Sequence, residues 1–234
     1  MAGGLAAAGG TLAAGALSMT GSSGMAFAET PKAPTAPRPS TPDEALSELL
    51  AGNKRFVRGK LEQPRRDSVR RTEVAQGQEP YAIILTCSDS RLAPEVIFDE
   101  GLGDLFIVRV AGNTGIDPLT IGSMEYSVVT FGSVLLMVLG HSDCGAVKAA
   151  VDVVTQGKTL PGELPAVTDP IEPAVQAVQG QPADQMVDAA IRQNVKMTQD
   201  ALGQISTFAD PVQSGKLKIV GYEYELHSGK VTPV

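Results

Sequence analysis

The sequence predicts an α/β fold built on a mainly parallel central sheet flanked by helices. Two observations carry this reading. Short, continuous apolar runs recur at residues 81–86 (YAIILT), 105–110 (LFIVRV) and 134–139 (VLLMVL), as expected of strands buried on both faces. Around them lie longer segments with apolar residues at helical spacing, over residues 119–131, 145–156 and 183–202. Strand, helix, strand in this rhythm favours parallel pairing, because each crossover returns the chain to the same end of the sheet.

Taken in order, the chain opens on an uncharged stretch. Residues 1–28 are mostly Ala, Gly, Ser, Thr and Leu, and end in Ala26-Phe27-Ala28. That A-x-A pattern predicts an export signal cleaved before Glu29. The basic region of such a signal is missing, since no Lys or Arg precedes Lys32. The weak, Gly- and Ala-rich apolar part is closer to twin-arginine signals than to Sec signals. The expected location is the periplasm or another exported space, or the cytoplasm if the segment is not a signal. Residues 29–42 hold five prolines and no large apolar residue, the composition of an extended linker. The catalytic domain is assigned to residues 43–234.

At its start Thr41 reads as an N-cap, with Pro42 at the first helical position and Asp43 and Glu44 in the first turn. Leu46, Leu49, Leu50 and Phe56 give this helix an apolar face, and Gly52 weakens its middle. Residues 217–224 (LKIVGYEY) read as a further strand, with a partner from Val231 after the Ser228-Gly229 turn. Residues 157–173 read as a surface loop. The net charge of −7 excludes a nucleic-acid partner, which requires clustered Lys and Arg. No run reaches the roughly 20 apolar residues of a membrane-spanning helix.

The chemistry concentrates at two strand ends. The chain has only two cysteines. Cys87 follows the first strand and opens Cys87-Ser88-Asp89-Ser90-Arg91; His141 follows the third and opens His141-Ser142-Asp143-Cys144. Ligands of parallel sheets bind at the carboxyl ends of strands. Two thiolates and an imidazole gathered there suit zinc and leave one position open, as catalytic sites do. A disulfide between the cysteines of an exported protein, or a buried structural pair, are the competing readings. Cys144 falls in the first turn of a helix, where the dipole favours a thiolate, and Asp143 reads as that helix's N-cap. Asp89 and Arg91 beside a zinc site have two possible roles. Asp89, oriented by Arg91, accepts a hydrogen bond from zinc-bound water, or it occupies the fourth zinc position and closes the site.

At these residues the chain resembles a β-class carbonic anhydrase. The likeness rests on CSDSR (87–91) and HSDCGAV (141–147), extended by NKRF (53–56), AGN (111–113), SMEY (123–126) and SGKV (228–231). It implies zinc on Cys87, His141 and Cys144, a catalytic Asp89–Arg91 pair, and reversible hydration of carbon dioxide to bicarbonate. It further implies an N-terminal helical arm reaching onto a partner subunit, with a homodimer or higher homo-oligomer. The export-like leader makes the chain similar to exported bacterial members. Hydrolysis of carbonyl sulfide or carbon disulfide on the same fold is the alternative activity, and a non-catalytic zinc-bound interaction module the alternative class. Arg109-Val110 stands where many relatives have Arg-Asn. The absence of Trp argues against the bicarbonate regulation that some members show. Two thiolates neutralise the metal's charge, so activity is expected to rise toward alkaline pH.

Overall fold

The structure, a computed structural model, describes residues 38–234. The expected export signal lies outside the described residues, as does most of the Pro-rich linker. Helix α1 (Pro42–Val57) starts where the capping residues place it: the Thr41 side chain accepts from the Glu44 N–H and the Glu44 carboxylate from the Thr41 N–H. This reciprocal cap satisfies two of the helix's free N-terminal donors.

Among the described residues five strands form one sheet: β1 (Ala82–Thr86), β2 (Leu105–Arg109), β3 (Leu135–His141), β4 (Lys218–Tyr224) and β5 (Val231–Pro233). Their spatial order is β2-β1-β3-β4-β5. The first four are parallel and β5 pairs antiparallel with β4. The chain leaves β1 to one side to form β2, then crosses back to form β3 on the other. The order therefore reverses beside β1, and the crevice of such a sheet opens between β1 and β3.

Alternation along these strands feeds two cores. Ile84, Met137 and Leu139 pack with Leu49, Val147 and Val175 on one face. Ile83, Leu85, Leu136 and Val138 pack with Met124, Leu202 and Phe208 on the other. The enclosing helices are α2 (Ser68–Val74), α3 (Pro94–Ile97), α4 (Pro118–Tyr126), α5 (Gly145–Gln156), α6 (Pro165–Thr168), α7 (Glu172–Ala177), α8 (Met186–Gly203) and α9 (Ser206–Gln213). Each buried Leu, Ile or Val contributes about 1.5–3 kcal/mol, so the sheet's centre is the most strongly held part.

Three expectations are corrected. Strand β2 is an edge strand, and Leu105, Phe106 and Ile107 are only half-buried; its apolar run signals a face left open in the single chain. The stretch read as a surface loop over residues 157–173 contains α6 and the start of α7, with Thr168 and Ile171 buried. Pro165 and Pro173 sit at the helix starts, where a missing N–H costs nothing. Gly52 does not merely weaken α1. A Cβ there would lie 1.6 Å from the Phe98 carbonyl oxygen, so glycine lets the helix meet the segment after α3 backbone to backbone.

Candidate active site

Strand β1 ends at Thr86, whose hydroxyl donates to the Leu139 carbonyl of β3 at 2.9 Å. This bond locks the two strand ends together at the crevice. Cys87 then follows β1 directly, and His141 is the last residue of β3. Three residues on, Cys144 caps the N-terminus of α5. The two Sγ atoms and a ring nitrogen of His141 all lie within 4.8 Å of one another, and all three residues are buried. Neither cysteine is in a disulfide.

The ring of His141 is oriented by its Nδ1, 2.8 Å from the Ser142 carbonyl. Since a carbonyl only accepts, Nδ1 carries the proton and Nε2 presents a lone pair. That Nε2 is buried and has no hydrogen-bond partner among the described residues. An orphaned acceptor facing two buried thiols is the arrangement a metal resolves. Burial opposes a charge on His141, but the Cys87 sulfur and the Ser142 carbonyl outweigh it and raise its pKa. The two sulfurs shift each other in opposite directions. A hydrogen bond from Cys144, opposed by burial and supported by His141 and by the N–H groups of Gly112 and Asp89, pulls the Cys87 thiol down. Cys144 is pushed up by Cys87 and by burial, although the N–H groups of Val147 and Ala146 work the other way.

Asp89 and Arg91 form a two-pronged pair, with Nε–Oδ1 at 2.9 Å and Nη2–Oδ2 at 2.7 Å. The Arg91 side chain and N–H hold the Asp89 carboxyl well below the usual range against the cost of burial. Asp143 is not the N-cap of α5. That position is Cys144, and the Asp143 carboxylate instead meets Lys148 and Arg91.

Three supporting residues escaped the sequence reading. Arg109, at the end of β2, donates from Nε to the Cys87 carbonyl at 3.1 Å and from Nη2 to the Asp89 carbonyl at 2.7 Å. Gly112, at φ 74°, offers its N–H to Cys87 Sγ at 3.4 Å. Asn194 of α8 donates to the Gly112 carbonyl at 2.8 Å and pins that turn. The AGN motif was the available signal for Gly112. Nothing local marks Asn194, 82 residues away.

Comparison with known proteins decides what this constellation belongs to. A family model described as carbonic anhydrase matches residues 82–231. Carbonic anhydrase 2 of Mycobacterium tuberculosis is 40% identical over 194 residues, 82% of this chain and 92% of that protein. A carbonic anhydrase of Mycolicibacterium smegmatis is 38% identical over 194 residues, 82% of this chain and 93% of that one. A solved Coccomyxa β-carbonic anhydrase in complex with acetazolamide matches with a TM-score of 0.64 at 26% identity, covering 81% of this chain and 86% of that chain.

The chain belongs to the β-class carbonic anhydrases.

As a carbonic anhydrase it hydrates carbon dioxide reversibly to bicarbonate, and the class works with zinc. The residues present fit that metal: two sulfurs and one imidazole nitrogen of the right tautomer, converging at the sheet's switch point. The matched relatives named above are carbonic anhydrases, and nothing found supports the sulfur-substrate or non-catalytic alternatives.

Proposed function

We propose that this carbonic anhydrase holds zinc on Cys87, His141 and Cys144, with Asp89 and Arg91 as its catalytic pair. The convergence of the three donor atoms within 4.8 Å carries the reading. Zinc held by these three residues would supply a Lewis-acidic position that brings the pKa of water toward neutrality. The chain's own residues do the rest. Asp89, kept ionised by Arg91, accepts a hydrogen bond from the attacking water and aims its lone pair at carbon dioxide. Arg109 holds the loop that carries Asp89 by two of its carbonyls. In a closed, resting form Asp89 would instead occupy the fourth metal position.

Stopped-flow hydration assays on zinc-loaded protein test this. Turnover should rise between about pH 6.5 and 9, and Asp89→Ala should retain zinc while losing about 100-fold in kcat. Wild-type turnover in Asp89→Ala would sink the assignment.

A second copy of the chain is the proposed partner at the β2 edge. Phe106 of β2 contacts Phe131, which in turn meets Tyr126 edge-on. Ile116, Leu119, Tyr126 and Val129 continue this face and are exposed, Leu119 by 81%. Sedimentation should show a homodimer or larger assembly, shifted toward monomer in Leu119→Asp. Export of the chain is proposed on the A-x-A site at residues 26–28. Zinc bound before export would protect Cys87 and Cys144 from oxidation, which favours the twin-arginine route. Cell fractionation showing residues 1–28 retained in the cytosol would end that idea.

A further inference from the structure

We propose that Asp143 is a positioning residue that anchors Arg91 from the side opposite Asp89 and so biases Asp89 away from the metal. The inference rests on the assigned roles of Asp89 and Arg91. Two nitrogens on one edge of the Arg91 guanidinium are committed to Asp89, and the third, Nη1, faces Asp143 Oδ2 at 3.6 Å. The other Asp143 oxygen is held by Lys148, one turn into α5. Asp143 thus ties the loop after β1 to the helix that follows the His141–Cys144 loop.

The backbone supports this placement. Asp143 has φ 60°, a left-handed conformation that L-residues adopt at a cost and that Gly, Asn and Asp tolerate best. It lies between two proposed ligands, and the kink sends its side chain out toward Arg91 while Cys144 stays buried. Arg91 has a half-exposed side chain and a large rotamer entropy. With one anchor its planar fork can swing with Asp89 as a unit. Two anchors from different loops fix its plane. The charged groups facing it are Asp89 on its own loop and Asp143 on the next, with Lys148 behind Asp143. Arg109 approaches the same loop through the Asp89 carbonyl.

The left-handed backbone makes clean variants available. Asp143→Asn keeps shape and tolerates the φ, and Asp143→Gly removes the side chain without strain. In cobalt-substituted protein at fixed neutral pH, both should shift the visible spectrum toward the form with a carboxylate on the metal. Metal content should stay unchanged. Because the contact is solvent-exposed, the shift in open-to-closed ratio should be about two- to fivefold, with kcat falling in parallel. Raised salt should move the wild type the same way and move Asp143→Gly less, since only the Asp89 contact is then left to screen. Arg91→Ala serves as the reference. If it shifts the spectrum and the Asp143 variants do not, this proposal is overturned while the Asp89–Arg91 assignment stands. If Arg91→Ala leaves the spectrum and turnover alone, the underlying assignment itself fails. Adding Asp143→Asn to Arg91→Ala should change nothing further; an additive effect would also overturn the proposal.

Discussion

At the scale of single residues, much of the proposed chemistry depends on groups that orient other groups. Arg109 is the clearest case, since its two donors hold the carbonyls of Cys87 and Asp89. Charge-assisted bonds of this kind contribute about 1.5–3 kcal/mol each. Arg109→Ala should lower kcat about tenfold and weaken zinc retention in a chelator competition assay. Arg109→Lys should not restore it, because one ammonium cannot span both carbonyls as the guanidinium fork does. Recovery of wild-type kcat in the Lys variant would show that charge alone matters. Cys87, His141, Cys144, Asp89 and Arg91 were legible because their spacing is local and their residue types are chemically distinctive. Arg109, Gly112 and Asn194 were not, because their partners are chosen only when β1, β2 and α8 come together.

At the scale of elements, close approach decides more than propensity. In α1, Gly52 sits against the Phe98 carbonyl, leaving no room for a methyl group. Helix propensity alone favours Ala over Gly by about 1 kcal/mol. Overpacking against rigid backbone costs about 1–3 kcal/mol or more and opposes it. Gly52→Ala should therefore destabilise the fold by about 2 kcal/mol in urea denaturation. A stabilised variant would mean that α1 can slide on its bed. Gly140 of β3 makes a similar approach, since a Cβ there would fall 2.5 Å from Val195 of α8. The strand that delivers His141 is thereby seated directly on that helix.

For the whole molecule, the site stands at one pole of the sheet and a buried charge network at the other. Asp99, Glu100 and Asp104 are buried, and Arg55 and Arg65 reach in to them. Glu100 Oε2 pairs with Arg65 at 3.0 Å, while its Oε1 has no partner among the described residues. Burial pushes its pKa up to about 7, Asp104 adds to the shift, and Tyr81 and Arg65 offset it only in part. A carboxyl raised in the folded state favours folding below its unfolded pKa, and that contribution disappears as pH rises through about 7. Glu100→Gln, which cannot ionise, should gain stability over the wild type as pH rises from about 4.5 to 8, by roughly 1–3 kcal/mol at the upper end. Thermal unfolding at both ends of that range measures it. An advantage independent of pH would place the raised pKa elsewhere.

The sequence by itself determined the strand–helix rhythm, the parallel sheet and the presence of a zinc-type donor set. Each is written in local spacing: buried strands as continuous apolar runs, the donor set as Cys87 and the His141/Cys144 pair at strand ends. Only the tertiary structure decided that β2 is an open edge, that residues 165–177 fold into two short helices over the Gly112 turn, and that Asp143 answers Arg91 rather than capping α5. Those outcomes depend on which surfaces meet across long sequence separations. There, packing space and the competition between charged partners override what any short window of residues prefers.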